Sequence, residues 1–173
     1  MKYKSLNNLT AAAFVFTIAL LLQSCNDHGL APEPAPPYGI SGTVFFSNWL
    51  PQDSIKDLRV VVFKSYPPQN IVVDVLQGKA KYTETLTPYG VASISYTLML
   101  SPLSPGRYEY LVVAQQYGDN VFNDWRVVGQ YSLPADSGNP SVILVPGNKI
   151  LQNINMTVDF NNLPPQPITG AGK

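Results

Sequence analysis

Between residues 40 and 160 apolar side chains recur at alternate positions in short runs cut by proline, glycine and asparagine. This period of two constrains the fold more than any other feature, because it buries one face of a strand and would scatter apolar residues around a helix. Ser93-Ile94-Ser95-Tyr96-Thr97-Leu98-Met99-Leu100 is the clearest instance, with Ile94, Tyr96, Leu98 and Leu100 on one side and mostly hydroxyl residues on the other. A half-buried strand follows.

The same reading places Ile40, Gly42, Val44 and Phe46 on one face of a first strand, and Leu58, Val60 and Val62 on one face of a second. Ile71–Leu76 is an apolar β-branched run ended by Gly78 and reads as a strand, and Lys81–Leu86 as a more polar one. Further strands are expected at Arg107–Gln115, Trp125–Ser132, Ser141–Val145 and Asn153–Phe160, separated by Pro102–Gly106, Gly118–Asp124, Pro134–Pro140 and Pro146–Lys149. No segment reads as a helix. About seven to nine short strands with such turns predict an all-β chain, a single antiparallel β-sandwich over residues 39–163, with a flexible tail over 164–173.

The chain opens differently. Lys2 and Lys4 precede the apolar run Ala11–Leu22, which is short for a membrane span and suits the core of a signal peptide. It is followed by Leu22-Gln23-Ser24-Cys25, which resembles the lipobox of bacterial lipoproteins. The resemblance implies removal of residues 1–24 and acyl chains on Cys25, with two or more chains giving stable anchoring at about 0.8 kcal/mol per buried methylene. Residues 25–38 then form a proline-rich tether, extended at about 3.1 Å per residue and reaching roughly 30–40 Å from the membrane. The expected location is the bacterial cell envelope, at the outer membrane, with the membrane itself as partner through Cys25.

A formal net charge of +0 gives no electrostatic reason to expect nucleic acid as a partner. Cys25 is the one cysteine, so stability rests on the core and not on a disulfide.

Three segments carry a second resemblance: Ile40-Ser41-Gly42-Thr43-Val44, Leu58-Arg59-Val60-Val61-Val62-Phe63, and Leu103-Ser104-Pro105-Gly106-Arg107-Tyr108-Glu109-Tyr110. Together they resemble the carboxypeptidase-regulatory-like and transthyretin-like sandwiches of bacterial surface proteins, the last segment looking like an L-x-P-G-x-Y turn into a strand. Physically, Pro105-Gly106 makes a tight turn and Tyr108 anchors the strand entry as a tyrosine corner does. Thr85-Leu86-Thr87-Pro88-Tyr89-Gly90 departs from the family's pattern by lacking an acidic residue. The resemblance implies an accessory or structural module. A hydrolase branch of the fold uses several histidines and a Tyr-Arg-Gly-Ser terminus, which the segment 168–173 and the single His28 do not match.

Candidates for chemistry are few. His28 lies in the tether beside a cysteine expected to be acylated, so the pair offers no nucleophile and base, and no Cys/His cluster suggests zinc. Asp119, Asn120, Asn123 and Asp124 flank Val121-Phe122 and offer oxygen ligands for calcium, but they lack the D-x-D-x-D-G register and equally make an ordinary turn. No cofactor is called for. A glycosidase-type carboxylate pair leaves no mark in sequence.

Trp49, Tyr117, Phe122, Trp125 and Tyr131 lie in or beside loops, where aromatic rings stack on sugars or partner surfaces. Trp125, Val127 and Tyr131 share parity, which favours a core-facing role for both aromatics; for Trp49 and Phe122 core and ligand roles stay open. Asp53-Ser54-Ile55 resembles a bacterial O-glycosylation acceptor and would place Ser54 at the surface. The expected function is a lipid-anchored, non-enzymatic interaction or accessory module with an envelope protein as partner. The alternative is a glycan-binding lipoprotein using Trp49, Phe122 and Trp125, and a third class is a hydrolase with an unrecognised carboxylate pair.

Overall fold

A computed structural model of the chain describes residues 34–136 and 138–167. The expected signal peptide, Cys25, His28, the tether as far as residue 33 and tail residues 168–173 lie outside the described residues. Among the described residues no helix is long and apolar enough to cross a membrane.

The chain is all-β with one short helix. Its strands are β1 (Gly39–Ser47), β2 (Asp57–Phe63), β3 (Ala80–Tyr82), β4 (Ser93–Met99), β5 (Gly106–Tyr108), β6 (Tyr110–Gln116), β7 (Trp125–Gln130), β8 (Ile143–Val145), β9 (Ile150–Leu151) and β10 (Met156–Asp159). Seven of them form one sheet in the order β3-β2-β6-β7-β10-β1-β4, with β9 also paired to β1, while β5 and β8 make a small second sheet. Buried residues of β2, such as Leu58, Val60 and Val62, share one core cluster with Tyr96 and Leu98 of β4 at the other end of the order. The sheet is therefore curled so that its two halves face each other. Tyr108, Ile143 and Val145 of the small sheet belong to the same cluster. Each fully buried aliphatic side chain contributes about 1.5–3 kcal/mol, so this core is the main source of stability.

Three local features differ from the alternation pattern, each for a physical reason. First, the ladder is not wholly antiparallel: β1 pairs with β10 and β9 in parallel. The register advances from Gly39↔Ile150 to Val44↔Met156, leaving one extra residue between β9 and β10. There Asn155 Oδ1 accepts a bond from Thr43 N at 2.9 Å in place of a backbone partner. Second, the strand expected at Arg107–Gln115 divides at Glu109. Its first part pairs with β8 and its second with β2 and β7.

Third, Ile71–Leu76 is not a strand but the helix α1. Asn70 Oδ1 accepts from Val72 N at 2.9 Å and Val73 N at 3.1 Å, capping the first turn. At the other end Gly78, at φ +68°, donates to Val75 O while Lys79 N donates to Asp74 O, the paired bonds of a Schellman stop. Caps at both ends override the β-branched composition between them.

The expected corner at Tyr108 is present. Gly106 has φ +124°, and the buried Tyr108 donates from its hydroxyl to Ser104 O at 2.7 Å, four residues back. Lys64 Nζ lies 4.6 Å from the Tyr108 ring centre and donates to the same carbonyl at 2.7 Å. Residues 164–167, expected to begin the tail, lie along β7 instead: Gln166 accepts from Val127 N and donates to Val127 O, both at 2.8 Å.

Candidate functional site

The half-sheet β3-β2-β6-β7 is apolar on both faces. Leu58, Val60, Val62, Leu111 and Val113 point into the main core, whereas Val61, Phe63, Tyr110, Val112 and Ala114 form a second cluster on the outer face. Alternation requires this of the uninterrupted runs Val60–Phe63 and Tyr110–Ala114, since a strand apolar at every position is covered on both sides. The cover is α1, whose Ile71 and Val75 pack on the second cluster.

β7 joins this face through an irregularity. Val113 pairs with Gly129 and Ala114 with Val127, so Val128 is an extra residue, a β-bulge. The bulge shifts parity: Val127 and Trp125 belong to the outer cluster, while Val128 and Tyr131 pack in the main core. Trp125 thus shares a face with Val127 as their parity implies, partly buried on the second cluster, while the bulge carries Tyr131 to the main core.

Trp125 separates two adjoining clefts, both also lined by Ile71. One is an apolar cup of about 170 Å³ walled by Val61, Val72, Val75, Tyr82 and Val121. Arg59 stands at this cup with its guanidinium 5.1 Å from the Tyr82 ring centre, and its Nε is 2.6 Å from Asp57 Oδ2. The other cleft, about 390 Å³, is lined by Tyr117, Arg126, Gln166 and Pro167. Arg126 donates from Nε to Gln115 Oε1 at 2.9 Å and lies 5.6 Å from the Tyr117 ring centre. Among the described residues it has no carboxylate partner.

The loop between β6 and β7 sets Trp125 in place. Its indole Nε1 donates to Val121 O at 2.9 Å, which leaves the ring faces for the clefts. Asp124 Oδ2 accepts from Asn120 N at 2.9 Å, and Asn120 Oδ1 accepts from Phe122 N at 3.0 Å. Asp119 turns away to Lys56 Nζ at 3.4 Å, and Asn123 is exposed. The four proposed calcium ligands are thus engaged in the loop's own turn or directed apart. Among the described residues no group of three or more His, Cys, Asp or Glu side chains gathers as a metal site would require.

The aromatic candidates separate clearly. Phe122 is 61 % exposed and follows Val121, which walls the cup, and Tyr117, 46 % exposed, lines the larger cleft. Trp49 instead stacks on Phe46 at 4.5 Å and Phe160 at 5.1 Å between centroids, and its Nε1 donates to Val91 O at 2.8 Å. It packs against the main core, which supports the core role of the two left open for Trp49. Ser54 is exposed in a 3-10 turn, its carbonyl taken by Gln115 Nε2. Arg59, Tyr82 and Arg126 were not singled out by sequence; the signal in the chain for a site on this face is the doubly apolar run Val60–Phe63, which requires a second covered face.

No family model matches the chain, and no curated protein matches it. Among solved structures, a leucine-rich repeat protein from Bacteroides thetaiotaomicron aligns at 10 % identity with a TM-score of 0.34. The alignment covers 73 % of this chain and 14 % of that one, and at this TM-score it carries no argument.

Proposed function

We propose that this is a lipid-anchored protein of the bacterial cell envelope whose β domain is a non-enzymatic interaction module, binding through the outer face at Trp125. The observation that carries the binding part is the pair of clefts divided by a fixed indole, one lined by the exposed Tyr117 and the other by Val121, next in the chain to the exposed Phe122. Exposed aromatic groups beside a shallow apolar cup recur where one protein docks on another. The anchoring part rests on Leu22-Gln23-Ser24-Cys25 and on the tether that follows it.

A specific arrangement favours the glycan-binding alternative as the second reading. The Arg126 guanidinium lies 5.6 Å from the Tyr117 ring centre in a cleft also lined by Trp125, a set of ring faces and donors suited to a sugar bearing a carboxylate. Pull-down from the envelope with wild type and with Trp125→Ala, beside a glycan array, separates the two. A protein partner lost on Trp125→Ala supports the leading reading, and loss of array binding to acidic glycans supports the second. Capture and array patterns unaffected by the substitution overturn the site. For the anchor, Cys25→Ala is expected to release the protein from membranes and to abolish labelling by a fatty-acid analogue; unchanged membrane association overturns it.

A further inference from the structure

Beyond β10 the chain stays on the sheet. It turns at Asp159, whose carbonyl accepts from Asn162 N and whose Oδ1 accepts from Asn161 N, both at 3.0 Å, and then follows β7 towards Trp125 as Leu163-Pro164-Pro165-Gln166-Pro167. β10 pairs with β7 only at Gly129 and Gln130, so this segment lies along a stretch of edge, Trp125–Val128, that among the described residues no strand covers.

The attachment is unusual. Three of the five residues are prolines, which cannot donate to a ladder, and among the described residues no backbone hydrogen bond joins residues 163–167 to the domain. One side chain takes over: Gln166 Oε1 accepts from Val127 N and Nε2 donates to Val127 O, the two bonds that a residue of a neighbouring strand would make. Nε2 also donates to Pro164 O at 3.0 Å, which ties the amide to its own segment. Gln166 is exposed, while Leu163 packs against the main core at one end of the segment and Pro167 is buried at the other.

Two clefts share this segment as a wall. Gln166 and Pro167 close the cleft of about 390 Å³ that holds Trp125 and Arg126. Leu163, Pro164 and Pro165 close another, of about 350 Å³, against Val128, Gly129 and Gln130.

We propose that residues 164–167 are a strap latched by Gln166, which opens and closes while the sheet stays folded. Opening breaks the two bonds of one exposed amide, which water replaces, and unseats Pro167; no ladder bond is lost, and Leu163 keeps the base of the strap in place. Closed, the strap completes the cleft at Arg126. Open, it removes that wall, bares Val127 N and O, and joins the two clefts into one groove along β7. Access to the cleft is thereby set by a single hydrogen-bonded side chain. That regulation rests on the reading of the Trp125 clefts as the binding site; the latch itself does not.

The first measurement needs no variant. Hydrogen exchange resolved to single amides, on the full-length protein in detergent, is expected to show Val127 exchanging at least about tenfold faster than Val113, and at a rate that low urea leaves unchanged because opening the strap exposes little surface. Val113, inside the ladder, speeds up with urea. Gln166→Met, of similar length and without either bond, accelerates Val127 by at least about a further tenfold and leaves Val113 as it was. In a Trp49→Phe background, where Trp125 is the one indole, Gln166→Met also raises acrylamide quenching of its fluorescence, since the wall formed by Gln166 and Pro167 is displaced. Exchange at Val127 that rises with urea in step with Val113 overturns the proposal, because the strap would then open only with the whole domain. Val127 protection or Trp125 quenching left unchanged by Gln166→Met overturns it too. Neither measurement uses a ligand, so their outcome is separate from that of the capture experiment on Trp125→Ala.

Discussion

Tyr110 carries a hydroxyl that is buried and, among the described residues, the one buried side-chain polar atom without a hydrogen-bond partner. Its ring packs between Phe63 at 5.9 Å and Tyr66 at 4.8 Å, so the side chain is held for its aromatic surface. An unsatisfied buried hydroxyl costs about 1–3 kcal/mol, and Tyr110→Phe is therefore expected to leave stability unchanged or raise it by about 1 kcal/mol in urea unfolding. A loss of that size would reveal a partner for the oxygen. Trp49 and Phe122 give the opposite contrast. Trp49→Ala opens the aromatic stack on Phe46 and Phe160 and is expected to cost about 3 kcal/mol with no change in ligand binding at the Trp125 clefts. Phe122→Ala is expected to change stability by less than about 0.5 kcal/mol, since the ring is 61 % exposed, while weakening binding there. Chemical denaturation and a binding assay on both variants check the pair. Tyr108 was legible because a Pro-Gly turn fixes its geometry locally, whereas the role of Trp49 depends on Phe160, far along the chain, and local sequence does not encode it.

At the scale of elements, what was legible was whatever the chain sets within a few neighbouring residues. The alternation at β1, β2 and β4 placed Ile40, Val44, Leu58, Val60, Tyr96 and Leu98 in the core, where they lie. The extra residue at Val128 was not legible, because a bulge is defined against the partner strand β6, and so Tyr131 faces the side opposite to Trp125 and Val127 despite their shared parity. The helix α1 is a different case. Its caps at Asn70 and Gly78 are visible in sequence, but the β-branched run between them carried more weight in a reading by propensity. Asn70→Ala frees Val72 N and Val73 N and is expected to cost about 1 kcal/mol. Because Ile71 and Val75 wall the cup at Trp125, exchange of α1 amides should rise and binding there should weaken together. Exchange of α1 unchanged in Asn70→Ala would show that packing, and not the cap, holds the helix.

Across the whole molecule, the class all-β follows from local periodicity, but the curl of the sheet and the parallel pairing of β1 with β10 join residues more than a hundred positions apart and leave no local mark. The curl buries Tyr96 and Tyr108 and the outer-face cluster buries Tyr110, and these hydroxyls set the alkaline limit of the fold. Burial raises Tyr108 to about 12, with a further push from Tyr38, and raises Tyr96 and Tyr110 as well, aided by Tyr131 and Tyr66 respectively. In each case the folded protein favours the neutral phenol more than the unfolded chain does, where the value is 10.0. Their contribution is complete below pH 10 and is lost as pH rises, for Tyr108 across the interval from 10.0 to about 12. On the acid side Glu109 is held low by Arg107 and Tyr66 N, and Asp159 by Asn48 and Asn161 N. These favour the folded state above the usual carboxylate range and lose that effect as pH falls through the lowered values, but both lie partly exposed at the surface, where water screens them. The alkaline transition is therefore the sharper one. Following tyrosinate absorbance and far-ultraviolet dichroism together above pH 10, the share of absorbance from Tyr96, Tyr108 and Tyr110 is expected to appear only as the β signal disappears, and Tyr96→Phe with Tyr108→Phe should reduce that coincident step. Full tyrosinate absorbance with the dichroism intact would mean that these hydroxyls reach solvent without unfolding, against the bonds of Tyr96 to Ile154 O and Tyr108 to Ser104 O, and would overturn the prediction.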